Sequence, residues 1–470
     1  MFLKRYYLGC LAHASYMIAD EKTKTAVVVD PQRDVDQYLA DAKQHGFEIK
    51  YVFLTHFHAD FIAGHIELKD QAGAKIYLSS KSQAEYDYTP FGEGDALQFG
   101  DVRLAALDTP GHTPDSISIL VYDLKKHAEK PYAVLTGDAL FIGDVGRPDL
   151  LASIGFTADQ LGDMLYDSMH SKLLRLPDET LVYPAHGAGS LCGKKLSNEA
   201  VSTIGEQKKF NYALQPMSKD EFKRIVTADQ PDAPDYFVHD AILNRKVRES
   251  LSETIKRALQ PLTLEQVIAA QNKVTQVVDV RGEADFAGAH LTGSINVPLD
   301  GKYATWAGTV ISKDRPIILI ADRDHVEEAI MRLGRIGFDN VSGYLDGGML
   351  ALANRPELIA QTSRVTAVAA HNLIRDRDDV QVIDVRAESE WNAGHIADSK
   401  NVPLSQLQDR LDEISSTGTV IVHCQGGYRS SIAASILQQQ GRTNVLDLVG
   451  GFAAWKGASL PVAAKVAANV

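Results

Sequence analysis

Cysteine is scarce. Only Cys10, Cys192 and Cys424 occur in 470 residues. They are too few, too far apart and odd in number for a disulfide framework, so a reducing, cytoplasmic setting is expected. A basic excess is also missing. The formal charge is −13 and no Lys/Arg block occurs, which argues against a nucleic-acid role, because phosphate binding needs a basic surface. An acidic average still permits an anionic substrate in a locally positive pocket. No run approaches the ~20 apolar residues of a membrane span, so no membrane role is expected.

The opening stretch MFLKRYYLGCLAHASYMIAD loosely imitates a lipoprotein signal, with Lys4 and Arg5 ahead of apolar residues and Cys10. The run is short, His13 interrupts it, and the pattern continues to TAVVVDP. The stretch therefore predicts two strands of a hairpin turning at ADEKTK, with Cys10 in an apolar strand.

What is present is an ordinary globular composition, 45% hydrophobic and 23% charged, in a chain too long for one core. From 25 to about 190, short apolar runs end in polar loops: YVFLTHFHAD, VRLAALDTPGH, YAVLTGDALF, ETLVYPAHG. Strands that finish in His or Asp bring those side chains to one edge of a sheet, where α/β architectures build sites. DVDQYLADAKQHG predicts an intervening helix, capped by Asp34 or Asp36 and ended by Gly46. Around 205–260 a polar stretch with helical periodicity leads onward. The last third is duplicated: VVDVRGEADFAGAHLTGSINVPL (277–299) recurs as VIDVRAESEWNAGHIADSKNVPL (382–404). A period near 100 residues is a repeated domain, not a solenoid, and its strand–helix alternation implies a mostly parallel sheet. ANRPELIAQTSR (353–364) is the expected connector.

THFHADFIAGH (55–65) sets His56, His58 and Asp60 at alternate positions, and His112, Asp138 and His186 follow three later strands. Imidazole and carboxylate groups at successive strand ends can converge on one cation. This series resembles the metallo-β-lactamase fold, whose signature T-H-x-H-x-D-H precedes further His, Asp and His ligands. Phe61 stands where the dinuclear members have a histidine. It removes a ligand for a second metal, so one metal is expected. The resemblance extends to the persulfide dioxygenase branch through FIGDVGRPDL (141–150). It implies one Fe(II) per chain held by His56, His112 and Asp138, with His58, Asp60 and His186 orienting water and ligands around it. Arg147 is then a substrate-binding candidate. Under the alternative, Phe61 merely packs while zinc at the first site hydrolyses a thioester, as in glyoxalase-II-like relatives.

VIVHCQGGYRSSIAASILQQQG (420–441) reads as a buried strand, a tight loop and a helix. Loop N–H groups, the helix N-terminus and Arg429 all favour a sulfur anion on Cys424. With the DVR strand and the GGFAAW end, this segment resembles a rhodanese domain. That resemblance makes Cys424 the sulfur acceptor, with Arg429 assisting and Gln425, Gly426, Gly427 and Tyr428 cradling the substrate. A Cys-x5-Arg phosphatase is the competing reading. The earlier copy has Ala321 near the cysteine position and no nucleophile, so it is expected to be inactive. Asp279/Arg281 and Asp384/Arg386 occur in both copies and read as structural ion pairs. Cys192, in GAGSLCGKK beside Lys194 and Lys195, reads as a small residue in a glycine-rich loop.

Nearly the whole chain therefore resembles a persulfide dioxygenase–rhodanese fusion. The expected fold is α/β: a metallo-β-lactamase-like αββα sandwich with a helical linker (1–255), then an inactive (256–360) and an active (361–470) rhodanese-like domain with parallel sheets. The implied partners are a low-molecular-weight persulfide, O2 and sulfite. A homo-oligomer is expected, as relatives often pair through the first domain. The reading from another class is a sulfur carrier or sensor that loads Cys424 without turnover.

Overall fold

The strand Val102–Asp108 shows how the first unit is layered. Val102, Leu104 and Ala106 point into one core, while Ala105 and Leu107 pack against another, as the two-residue period of a strand requires. The inner core lies between two six-stranded sheets. One sheet runs in chain order through Phe2–Leu8, His13–Ala19, Thr25–Val29, Glu48–Phe53, Lys75–Ser79 and Thr89–Phe91. The other is ordered Ser202–Thr203, Leu181–Pro184, Ala133–Gly137, Ile117–Asp123, Val102–Asp108 and Ala96–Phe99. Tyr16, Val27, Phe53, Ile119 and Leu135 fill the space between them. Helices Asp36–His45 and His65–Ala72 lie against the first sheet. Leu165 and Met169 of Ala158–Ser171, with Phe222 of Lys219–Thr227, cover the second. The result is the expected αββα sandwich, in a computed structural model that describes residues 1–150, 155–230, 233–234, 236–271 and 274–464.

Several local expectations meet different physics. The hairpin forms between His13–Ala19 and Thr25–Val29, and Phe2–Leu8 adds a further antiparallel strand. Cys10 falls in the turn between these elements, half-buried rather than in a strand, because Gly9 breaks the run. Helix Asp36–His45 has Val35 at its N-cap with no side-chain cap. Asp36 sits inside the first turn, where it favours the helix dipole instead. Gly46 ends the helix in the left-handed conformation, as expected. The polar stretch after 200 forms helices Ile204–Phe210, Lys219–Thr227, Tyr236–Leu243 and Leu251–Ala258.

The chain divides into Met1–Thr254 with Gly334–Gly337, and Ile255–Leu333 with Phe338–Val470. The second unit holds the duplication. Its first copy has five parallel strands ordered Pro261–Leu262, Val341–Leu345, Ile317–Ile320, Gln276–Asp279 and Ile295–Asn296. The second repeats that order with Ser363–Val365, Val445–Leu448, Thr419–His423, Val380–Asp384 and Lys400–Asn401. The connector is not a plain loop: Ile359–Ala360 pairs with His290–Leu291, and Val462–Ala463 pairs with His395–Ile396 in the second copy. Both predicted ion pairs form, Arg281 to Asp279 and Arg386 to Asp384, each at 2.6 Å.

The copies also touch. Tyr428 donates its hydroxyl proton to the Pro298 carbonyl, Ser431 donates to Asn296 Oδ1, and the Asn296 N–H donates to Ser435. The helix Tyr428–Gln439 of the second copy is thereby fastened to the Ile295–Asn296 edge of the first. Among the described residues no helix is long and apolar enough to cross a membrane.

Candidate metal site and cysteine loop

Four strands of the first unit end at one place. Glu48–Phe53 leads to Thr55 and His56, Val102–Asp108 to His112, Ala133–Gly137 to Asp138, and Leu181–Pro184 to His186. Gly137, at φ +52, permits the close approach: a Cβ there would lie 2.4 Å from Thr55 Oγ1.

His56, His112 and Asp138 each offer a ligand atom, and these lie within 4.8 Å of one another, all buried. Their tautomers are fixed from behind. Thr55 Oγ1–H donates to Asp30 and so accepts from His56 Nδ1 at 3.1 Å. His112 Nδ1–H donates to the Arg147 carbonyl at 3.0 Å. Both Nε2 atoms are left with bare lone pairs facing Asp138 Oδ2, at 3.8 and 3.5 Å, and that oxygen is buried with no hydrogen-bond partner. Two neutral imidazoles and an orphaned carboxylate oxygen form the donor set of a divalent transition-metal site. The residues present therefore fit the metal that the sequence resemblance implies.

Charge follows the same logic. Burial, with His58 alongside, holds His56 well below the ordinary imidazole range, and burial outweighs Asp138 at His112 to lower it too. Burial alone would raise the Asp138 carboxyl, but His186, His56 and His112 overcome it and hold it far below the usual range. Asp138 Oδ1 accepts from His186 Nδ1 at 2.8 Å, and Asp60 Oδ2 lies 2.9 Å from His186 Nε2. Burial opposes charge on His186, yet Asp138 and Asp60 outweigh it and push its pKa well up.

His58 turns away from the triad. Its Nε2 lies 3.0 Å from Asp30 Oδ1, and its ring stands 4.4 Å from Phe61. Phe61 is fully buried between His58 and His13, 4.0 Å from the latter, so an apolar ring occupies that side of the site. Arg147 contributes its carbonyl to His112, while its buried guanidinium pairs with Asp149 at 2.6 Å.

Four participants escape a linear reading. His13, whose Nε2 has no partner, hides at the head of an apolar strand. Asp30 carries the second layer behind Thr55 and His58 from a left-handed position at φ 51. Asn244, in the linker, donates to the carbonyls of His58 and Phe61 and accepts from the Ala63 N–H, each within 2.9 Å. Cys192 is the fourth. Its sulfur lies with Asp60 and His186 in a second buried cluster. Burial, with Asp60 and Asp138 nearby, pushes its thiol pKa well up. Lys194 does not counter this, since its ammonium is tied to the carbonyls of Ile225 and Ala228.

In the second unit, Cys424 ends strand Thr419–His423 and is 1% exposed. The Gly427 N–H donates to its sulfur at 3.1 Å, and helix Tyr428–Gln439 starts at the next residue. Gly451, at φ +55, lets the following helix close on the loop, since a Cβ there would lie 2.3 Å from the Cys424 carbonyl. Gln425 and Gly426 are exposed at the mouth. Tyr428 has its hydroxyl on Pro298, so what it offers the loop is backbone. Arg429 makes a bidentate pair with Glu390 at 2.6 and 2.9 Å. Beside the loop opens a cleft of about 280 Å³ lined by Arg386, Glu390, Gln425, Phe452 and Lys456. Arg386 thus has a second face that Arg281 has no loop to serve, and Lys456 was not foreseen. In the first copy Ala321 follows strand Ile317–Ile320 where the second has cysteine.

Known proteins share both halves. The family described as "Metallo-beta-lactamase superfamily" matches residues 8–186, and "Rhodanese-like domain" matches 263–355 and 366–458. The bovine mitochondrial persulfide dioxygenase ETHE1 is 32% identical over 214 residues, 45% of this chain and 75% of that protein. The hydroxyacylglutathione hydrolase of a Polaromonas species is 31% identical over 265 residues, 50% of this chain and 94% of that one. A crystal structure of a metallo-beta-lactamase from Staphylococcus aureus superposes with a TM-score of 0.63 at 32% identity, covering 73% of this chain and 98% of that one. The chain belongs to the metallo-β-lactamase superfamily. Within it, this is a fusion: a domain homologous to persulfide dioxygenases, followed by two rhodanese-like domains.

Proposed function

We propose that the chain oxidises a low-molecular-weight persulfide with O2 at a single iron, then converts the sulfite to thiosulfate through Cys424. The observation that carries the first step is Asp138 Oδ2, buried and unpartnered opposite two bare imidazole nitrogens. Iron(II) held by His56, His112 and Asp138 supplies the electron-transfer chemistry that O2 requires. The chain's own residues do the rest. Thr55 and the Arg147 carbonyl hold the two rings in one tautomer, Asp30 backs Thr55, and His186 holds Asp138 from the other side. Phe61 keeps that wall of the site apolar. The sum is RSSH + O2 + H2O giving RSH, sulfite and two protons.

In the second unit, Cys424 attacks the outer sulfur of another persulfide, releasing RSH and leaving Cys–S–SH. Sulfite then attacks that outer sulfur, forming thiosulfate and restoring the thiol. The Gly427 N–H steadies the sulfur anion, and Arg386 and Lys456 draw anions into the cleft, with Arg429 assisting from its pair with Glu390. One function falls to each segment: dioxygenase in 1–255, no chemistry in 256–360, sulfur transfer in 361–470. A reducing, cytoplasmic setting and a homo-oligomer complete the reading.

Similarity to hydroxyacylglutathione hydrolase supports a second reading, thioester hydrolysis by zinc. Anaerobically purified protein is expected to carry one iron per chain and to consume O2 with glutathione persulfide. Zinc content with thioester hydrolysis and no O2 uptake overturns the proposal.

A further inference from the structure

One cation of the cleft beside Cys424 has no counter-charge. Arg386 spends Nε and Nη2 on Asp384 and on the Gly394 carbonyl, and Arg429 is matched by Glu390. Lys456 lines the cleft, is exposed, and has no ion-pair partner among the described residues. Its ammonium stands 5.1 Å from the centre of the Phe452 ring, and the Phe452 N–H donates to the Cys424 carbonyl at 2.7 Å. Lys456 follows Phe452 one turn along helix Gly451–Gly457. Phe452, Ala393 and Val462 give the cleft apolar surface. At about 280 Å³ it is far roomier than one sulfite needs, and close to the ~300 Å³ at which sites for small organic molecules begin.

The first copy lacks this combination. Gly347–Gly348 and Gly450–Gly451 share their left-handed conformations. Counted from them, Met349 stands for Phe452 and Ala353 for Lys456. The unmatched cation therefore accompanies the cysteine.

We propose that Lys456 selects the sulfur donor by binding a carboxylate on the organic part of the persulfide, while Phe452 and Val462 receive the carbon chain between that group and the sulfur. A single ammonium matches the single charge of a carboxylate, whereas a phosphate dianion calls for more donors. The proposal rests on the sulfur-transfer reading of Cys424 and names the class of its donor, a persulfide of an acidic thiol. The Cys424 thiolate attacks the outer sulfur of RSSH, the donor's S–S bond breaks, and RS− leaves and takes up a proton from solvent. Lys456 touches only the R group, so it governs which donor is used.

Full-length protein is incubated with 3-mercaptopropionate persulfide or with its amide, donors that differ in the acid group alone. Sulfur loading of Cys424 is followed by mass spectrometry, with Cys424→Ser as the blank. The parent is expected to load from the acid about five-fold faster at limiting donor, near the upper end for an exposed ion pair, with the preference fading at high salt. Lys456→Gln brings the two rates together and Lys456→Glu reverses their order, which a loss of packing does not do. Equal rates in the parent, or a preference that survives Lys456→Gln, overturns the proposal. Loading with this preference but no thiosulfate on adding sulfite overturns the function proposed above and not this one, whereas no loading of Cys424 from either donor removes both.

Discussion

His65 closes the stretch that begins at Thr55, yet it joins no ligand cluster among the described residues. It is fully buried beside Arg248, and burial first, then that guanidinium, lowers its pKa from the ordinary 6.5 to about 3. The native state therefore refuses a proton that the unfolded chain accepts below pH 6.5. Stability contributed by the neutral ring is complete above pH 6.5 and declines as the pH falls towards 3. Each pH unit in that window costs up to about 1.4 kcal/mol. Replacing His65 by Gln should spare about 2 kcal/mol of the stability that the parent loses between pH 7 and pH 5. Urea unfolding of both proteins at the two pH values checks this, and equal losses would remove His65 from the acid response. At this scale the sequence was informative where a residue ended a strand, as His56, His112, Asp138 and His186 do. It was silent where burial alone made the role, as for Cys192, whose loop has no periodicity from which to place a sulfur.

Elements are joined by side chains whose partners lie far off in the chain. Asn244 follows the helix Tyr236–Leu243 and satisfies two carbonyls and one N–H of the His58–Ala63 loop. No local pattern marks it, because an amide can serve any stretch of backbone and this one lies more than 180 residues away. Truncation to Ala leaves those buried groups unpaired, and a loss of about 3 kcal/mol is expected in urea unfolding. A loss under about 0.5 kcal/mol would mean that water replaces the amide. The strands themselves were legible, since alternation in Val102–Asp108 and the apolar run of Thr419–His423 each fix a face or a core position. Caps were less so. Asp34 and Asp36 both suit an N-terminus by type, but the backbone turns at Val35, one residue away from either.

At the scale of the whole chain, the repeat was plain from its wording, and both copies preserve more than wording. Gly347–Gly348 and Gly450–Gly451 take the same left-handed pair of conformations, so the copy with Ala321 keeps the scaffold of the copy with Cys424. The candidate metal ligands and Cys424 lie in different units, and point changes in the full-length protein should separate the two proposed activities. His112→Ala is expected to abolish O2 uptake while transfer of persulfide sulfur to added sulfite continues. Cys424→Ser is expected to do the reverse, with O2 consumed and sulfite accumulating. Paired assays of O2, sulfite and thiosulfate test this, and loss of both activities in either variant would contradict the division.

The hydrogen bonds that join Asn296 and Pro298 to the helix behind Cys424 give the copy with Ala321 an inheritance of constraint. A duplicated domain is ordinarily at liberty to wander in sequence. Here that liberty stops at one edge strand, where a change in the copy with Ala321 reaches the helix that follows Cys424 in the other.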